Sequence, residues 1–136
     1  MINLLYAEQA VGAAATMVGI LKRVVVIDLQ EKGKRAPISM INPEIIYRSE
    51  DLQVFEEGSI CFPGVSAEIK RPTSITVNFL DEKGADRSLD ASGYLSSVIQ
   101  HEIDYLNGVT YFDYLTSVKK NLLLKKTKKH QRSKRV

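Results

Sequence analysis

The segment 89–107 constrains the fold most, because its spacing predicts a helix with a carboxylate inside the apolar stripe. At 100° per residue, six apolar side chains fall within about 60° of Glu102. They are Ala91, Leu95, Val98, Ile99, Tyr105 and Leu106. A carboxylate on the core face is costly to bury without a partner. We therefore expect Glu102 to have a chemical role or a dedicated partner.

His101 lies at the edge of the same stripe, and residues 101 and 105 are one helical turn apart. The segment HEIDY differs from the metal-binding motif HExxH only at its last residue, Tyr105. Two interpretations stay open from the residues alone. One is a metal hydrolase in which Glu102 is the general base, and the other is a core histidine beside a buried, salt-bridged glutamate.

Strand signals cluster before this helix, which predicts the α+β class, with antiparallel strands packed around the central helix. The predicted strands cover 24–27, 37–46, 59–62, 65–71 and 73–80, with further helices over 2–10 and about 116–130. Residues 50–58 are predicted to be a polar loop, and Pro43 is expected at the edge or end of its strand. We expect one domain over 1–136, with a core over 1–118 and a tail over 119–136.

Composition and charge exclude several classes of protein. The longest uncharged run, 9–21, has 13 residues and is too short to span a membrane. The lone cysteine, Cys61, cannot form an internal disulfide, which favours a reducing, cytoplasmic location. Residues 119–136 carry nine Lys and Arg and no acid, whereas the remainder carries ten basic and all sixteen acidic residues. Only the tail is therefore a candidate for nucleic-acid contact.

Three segments together resemble one known family. QHEIDYLNGVTYFDYL (100–115) is similar to the QHExDHLxGxLxxDxL segment of peptide deformylases. EGSICFPG (57–64) resembles their EGCLSxPG, and AVGAAATMVGI (10–20) resembles their GxGLAAxQVGI. The resemblance covers about 3–120 and implies the peptide deformylase fold. Family members carry a long first helix before the GxGLAAxQVGI segment, which we call the glycine motif (10–20 here). This chain has nine residues before that motif, so we expect that helix to be lacking.

The resemblance implies a metal hydrolase that removes the formyl group from nascent formyl-methionyl peptides. In the family, one Cys and two His hold a divalent metal, a Glu moves the proton, and a Gln and a backbone N–H stabilise the oxyanion. The matching metal positions here are Ser59, His101 and Tyr105, and the matching catalytic positions are Glu102, Met17 and the N–H of Ile60. The expected substrate contacts are Gly12, Gly58, Ile60 and Arg71.

Two of the three ligand positions and the oxyanion side chain are thus replaced, and Met17 cannot donate a hydrogen bond. We expect no metal, or at most weakly held Fe²⁺, Zn²⁺ or Ni²⁺ at His101. Tyr105 is expected to fill the space with its hydroxyl on Glu102, and Cys61 to be a small buried residue. The leading hypothesis is an inactive homologue.

Two other functions stay open. One is a working deformylase acting on formylated nascent peptides, and the other is a small module that binds the ribosome or RNA through the basic tail. That tail resembles the C-terminal helix of the family, which in some members contacts the ribosome. No membrane partner is expected.

Overall fold

The computed structural model describes residues 2–19, 22–59 and 61–133, except for the side chains of Met17 and Val18. The helices are α1 (Ile2–Ala7), α2 (Gly93–Leu106) and α3 (Ser117–Ser133). The strands are β1 (Gly12–Ala14), β2 (Val24–Ile27), β3 (Ile38–Arg48), β4 (Leu52–Ser59), β5 (Phe62–Pro72), β6 (Ser74–Leu80) and β7 (Asp86–Ser92). Short 3₁₀ turns cover Ala15–Val18, Glu31–Gly33 and Tyr111–Tyr114.

Two antiparallel sheets surround α2, which confirms the predicted α+β class. The larger sheet has five strands in the order β1-β2-β3-β6-β7, and β4 pairs with β5 in a separate hairpin. Helix α2 packs against strands of both sheets, among them β1, β2 and β7 of the larger sheet and β4 and β5 of the hairpin. Its apolar face joins β-branched residues of the larger sheet, such as Val25 and Val77, in the main core. The arrangement brings residues that are far apart in sequence to one face of α2.

Helix α3 lies against the hairpin rather than the larger sheet. Leu123 is buried with Phe62, Tyr111 and Phe112 in a second apolar cluster. One turn later, the Thr127 hydroxyl donates a hydrogen bond of 2.6 Å to the backbone carbonyl of Pro63. No helix in the described part of the chain is long and apolar enough to cross a membrane.

The predicted loop over 50–58 was wrong, because these residues form most of β4. Side chains along β4 alternate between exposed and inward-facing, with Leu52, Val54 and Glu56 outward and Phe55 and Glu57 inward. Acidic residues on both faces hid this period-two pattern. The strand predicted over 59–62 is not a separate element, because Ser59 ends β4 and pairs with Phe62, which begins β5.

Two further predictions need correction, and a third concerns Pro43. Cys61 lies between β4 and β5 and is exposed, not buried. Helix α2 begins at Gly93, because residues 86–92 pair with β6 as β7. Pro43 lies inside β3 at a register shift against β6 between Ile41 and Glu44, and beyond Ile41, the last residue of β3 that pairs with β2. A bulge and a side without a strand partner both tolerate the missing N–H of proline, so only the strand-end alternative was wrong.

Candidate functional site

A cavity of about 450 Å³ opens between the edge strands β1 and β4, with α2 behind it. Residues 8–12 line one side of the cavity and residues 56–59 line the other. His101 and Glu102, on α2, border it from behind. Gly12 is required here, because a Cβ at this position would lie 2.8 Å from Cγ of Glu102. Gly12 and Gly58, two of the predicted substrate contacts, line this cavity, whereas Arg71 does not.

His101 is held by a carboxylate that is itself ionised. Its Nδ1 lies 2.7 Å from Oε1 of Glu57. Burial alone would raise the pKa of Glu57, but hydrogen bonds from His101 and Arg71 outweigh burial and hold that pKa below its ordinary value. A carboxylate only accepts hydrogen bonds, so Nδ1 of His101 carries the proton and Nε2 is left on the cavity side.

Arg71 supports this pair from behind and does not reach the cavity. Its guanidinium donates to both oxygens of Glu57, at 2.6 and 2.9 Å, and to Asp104 at 2.8 Å. The Tyr114 hydroxyl donates to the same Asp104 oxygen at 2.7 Å. The side chain of Arg71 is only 3% exposed. We therefore correct the predicted substrate contact: Arg71 is a positioning residue for Glu57 and His101.

Glu102 is buried in the wall of the cavity without a hydrogen-bond partner for one oxygen. Its Oε2 has none among the described residues, and its Oε1 lies 3.7 Å from Nε2 of His101. Burial raises the pKa of Glu102 to about 7; neighbouring His101 and Arg71 oppose this increase, and Glu57 adds to it. The salt bridge considered from the sequence is thus too long for a hydrogen bond.

Tyr105 and Ser59, both predicted at ligand positions, contact each other. The phenol of Tyr105 donates a hydrogen bond to Oγ of Ser59, and the backbone N–H of Cys61 donates to the same oxygen at 3.1 Å. The expected contact between Tyr105 and Glu102 was wrong. Burial raises the pKa of Tyr105 well above its usual value; the Ser59 hydrogen bond opposes this, and the Cys61 thiol adds to it.

The profile of the polypeptide deformylase family matches residues 1–121 of the chain. The chain belongs to the polypeptide deformylase family. A Rickettsia conorii protein named peptide deformylase-like is 52% identical over 130 residues, which are 96% of this chain and 71% of that protein. Peptide deformylase 1 of the same organism is 42% identical over 135 residues, covering 95% of this chain and 77% of that protein.

Solved structures agree with the sequence match. The crystal structure of peptide deformylase from Ehrlichia chaffeensis superposes with a TM-score of 0.91 at 34% identity, over 100% of this chain and 82% of that one. A peptide deformylase from Legionella pneumophila gives a TM-score of 0.93 at 33% identity, over 98% of this chain and 78% of that one. The predicted family and fold are thereby confirmed.

Polypeptide deformylases are metal-dependent, but the donor set of this family member does not fit a divalent ion. Among the described residues, no group of three His, Cys, Asp or Glu side chains is arranged to hold a metal. Of the three positions matched to metal ligands, His101 offers an imidazole nitrogen. Ser59 and Tyr105 offer only neutral hydroxyls, which are hydrogen-bonded to each other. Divalent Fe, Zn and Ni favour imidazole, thiolate and carboxylate donors, which only His101 among these positions supplies.

Two predicted site positions fall outside the described part of this deformylase homologue. Ile60, predicted to offer its backbone N–H, lies outside the described residues, as does the side chain of Met17. The backbone of the 15–18 turn is described, and Thr16 within it donates a hydrogen bond of 3.0 Å to the carbonyl of Tyr105. This turn of the glycine motif therefore lies against the part of α2 that carries the site.

Sequence reasoning missed the support behind His101 in this deformylase fold. Glu57 was recognised only as part of a matching motif, and Asp104 and Tyr111 were not singled out. The Tyr111 ring stacks near the imidazole, with 5.9 Å between centroids. The available signal was Arg71, since an arginine within a strand of a small domain needs acidic partners if its side chain turns inward.

Proposed function

We propose that this protein is a catalytically inactive polypeptide deformylase homologue that keeps a peptide-binding cavity. The observation that carries the proposal is the hydrogen bond between Tyr105 and Ser59. It occupies the two positions where the family resemblance implies metal ligands. It gives the Tyr105 and Ser59 hydroxyls a polar partner inside the protein, so these two groups are satisfied without an ion.

The size of the loss supports inactivity. Four ligands of a structural zinc site together contribute roughly 10–16 kcal/mol, which is about 3–4 kcal/mol for each ligand by simple division. Loss of two ligands would weaken binding by several orders of magnitude. A Tyr105 ligand would also have to lose its proton, whereas burial raises the pKa of that phenol. Loss of the oxyanion side chain at Met17 would lower the rate by about another 10²–10³.

Retention of peptide binding is proposed from the edges of the cavity. Strand β1 is the outer strand of the larger sheet, and β4 belongs to a hairpin of two strands, so both present backbone groups at an edge. An extended peptide can add to such an edge through main-chain hydrogen bonds. Gly12, which is buried, and Gly58, which is exposed, line the cavity on either side without a Cβ to cover the strand edges. A nascent peptide is the ligand class that the family relationship favours, and we place this role in the cytoplasm.

Metal content and formate release test this proposal together. Protein purified without oxygen should hold well under one equivalent of Fe, Zn, Ni or Co by elemental analysis. It should release no formate from a formyl-methionyl peptide with added Fe²⁺ or Ni²⁺. Near-stoichiometric metal that is lost in His101→Ala, with turnover that is lost in Glu102→Ala, would establish the alternative, a working metal-dependent deformylase.

A second candidate function, contact with the ribosome or another RNA, is favoured by the surface of α3. Leu123 and Thr127 face the hairpin, while the lysines of the helix point to solvent. The exposed basic residues are Lys119, Lys125, Lys126, Lys128, Lys129 and Arg132. A helix with one packed face and six exposed basic residues complements the charge of a phosphate backbone. This role is compatible with an inactive cavity.

A further inference from the structure

The cavity wall holds hydrogen-bond acceptors that the described protein does not satisfy. The Glu102 side chain is 5% exposed, it borders the cavity, and its Oε2 has no partner among the described residues. Nε2 of His101 stands 3.7 Å from the other Glu102 oxygen, Oε1. A buried carboxylate oxygen without a donor is costly, so the site is complementary to a ligand that brings donors.

The nearby donors are already used elsewhere. Nδ1 of His101 donates to Glu57, and Arg71 donates to Glu57 and Asp104. The Tyr105 phenol donates to Ser59. A proton on Nε2 of His101 would point towards Glu102, but 3.7 Å is beyond a hydrogen bond. Among the described residues, these groups therefore leave the Glu102 oxygen Oε2 without a donor.

The charge of the cavity lining also favours a ligand that brings hydrogen-bond donors. Three further acidic residues line it, Glu8, Glu56 and Glu57; the Glu56 carboxylate accepts a hydrogen bond from Ser66, and Glu57 is paired with Arg71. Among the described lining residues, His101 is the only one with a basic side chain, and its Nδ1 is directed away to Glu57. A cationic group with several donors fits this lining better than a neutral group with a carbonyl oxygen.

We propose that the cavity binds the free α-ammonium group of a peptide in preference to an N-formyl group. The ammonium brings three donors and a positive charge to Glu102 and Nε2 of His101. A formamide brings one N–H and a carbonyl oxygen, and that oxygen would face acceptors. The inference rests on the proposed function, because it requires a cavity without a metal ion. The family's reaction implies that the cavity prefers the N-formyl group of the substrate. The proposed preference is the reverse, for the free amine that the product carries.

The test compares three peptides that differ only at the amino end. Met-Ala-Ser labelled with a fluorophore at its C-terminus is prepared as the free amine, the N-formyl form and the N-acetyl form. Binding is measured by fluorescence anisotropy with EDTA present, which removes metal from the comparison. We expect the free amine to bind at least about tenfold more tightly than either blocked peptide. Equal binding, tighter binding of the formyl peptide, or no binding of the free amine would overturn the proposal.

Variants locate the preference at the buried carboxylate. In Glu102→Gln the ratio between free amine and formyl peptide should fall to about one. Glu31→Gln, which removes the same charge from an exposed turn outside the cavity lining, should keep the wild-type ratio. A ratio that survives Glu102→Gln would overturn the assignment, and the wild-type comparison still decides if that variant fails to fold.

Failure of this inference can be told from failure of the proposed function. Formate release by the metal-supplemented protein would refute inactivity. A formyl preference in EDTA without any formate release would refute only the ammonium assignment.

Discussion

The phenol of Tyr105 on α2 donates a hydrogen bond to Oγ of Ser59 at the end of β4, 46 residues earlier in the chain. These are the two positions at which the family resemblance implies metal ligands. Each replacement therefore supplies the partner that the other needs, and the contact ties the central helix to the hairpin. Its energetic coupling can be measured.

Tyr105→Phe and Ser59→Ala should each lower the free energy of unfolding by about 1 kcal/mol, because each removes one partner of the hydrogen bond. The double variant should cost less than the sum by about 0.5–1 kcal/mol, since the same contact is lost only once. Urea denaturation of the four proteins gives this coupling energy. Tyr47→Phe, at a half-exposed position, serves as the control for loss of a phenol. Additive effects would show that the hydrogen bond does not contribute.

Glu102→Gln should stabilise the protein at alkaline pH. The folded pKa of Glu102 is about 7 and the unfolded value is about 4.5, so the folded state holds a proton that the unfolded chain releases between these values. The stabilising proton is fully bound below about pH 4.5 and is lost as the pH rises through 7. The ionised carboxylate then costs about 3 kcal/mol.

Urea unfolding at pH 5 and pH 8 measures this effect. At pH 8 the Gln variant should exceed the wild type by about 2–3 kcal/mol, and most of this advantage should be absent at pH 5. The difference between the two proteins cancels titrations that both share. If the Gln variant were more stable than the wild type by the same amount at pH 5 and pH 8, this would contradict the raised pKa of Glu102.

Arg71→Ala should be among the most destabilising single changes, at about 3–5 kcal/mol, because it leaves Glu57 buried without its cation. Arg71→Lys should lose less, since it keeps the charge but not the two parallel hydrogen bonds. The control is Arg87→Ala, whose ion pair with Asp81 involves an arginine that is 61% exposed. That change should cost less than about 1 kcal/mol. Similar midpoints of thermal unfolding for Arg71→Ala and Arg87→Ala would argue against a positioning role.

Activity should be restorable only by three substitutions together. Ser59→Cys with Tyr105→His should bring the metal content close to one equivalent, because the three strong ligands are then present. Formate release should appear when Met17→Gln is added, with effects that are strongly non-additive. The double variant without Met17→Gln is the matched control for metal binding. If the triple variant folds and binds metal but stays inert, the cavity has lost more than its ligands.

Removal of charge from α3 should weaken ribosome binding if that helix contacts RNA. Replacing Lys125, Lys126, Lys128 and Lys129 by Gln should abolish co-sedimentation with ribosomes at moderate salt, because each phosphate contact contributes to affinity. A matched set of four exposed lysines elsewhere is Lys22, Lys32, Lys34 and Lys83. Their replacement should have little effect. Equal loss in both sets would indicate non-specific attraction, and no salt dependence would rule out this surface.

Part of the site could be predicted from the sequence alone because it depends only on the spacing of residues within one helix. The helical period places Glu102 among apolar residues whatever the rest of the chain does, and it puts residues 101 and 105 on adjacent turns. The glycine motif and the EGSICFPG segment carried the family resemblance, which indicated that residues 17, 59 and 105 would converge around Glu102. The structure places Ser59 and Glu102 at one cavity and Tyr105 in contact with Ser59, while the side chain of Met17 lies outside the described part of the chain.

The partners of these residues were decided only by the tertiary structure. Glu57 and Arg71 are 14 residues apart on paired strands, so their contact depends on the register of β4 against β5. The strand β4 itself was missed, because charged residues on both of its faces hide the alternation of apolar and polar side chains. Its strand conformation is evident only from its pairing with β5. Whether the Tyr105 phenol meets Glu102 or Ser59 depends on where β4 places Ser59 relative to α2. Local sequence sets which side chains face inward, but partners across elements are fixed by packing and strand register over long separations.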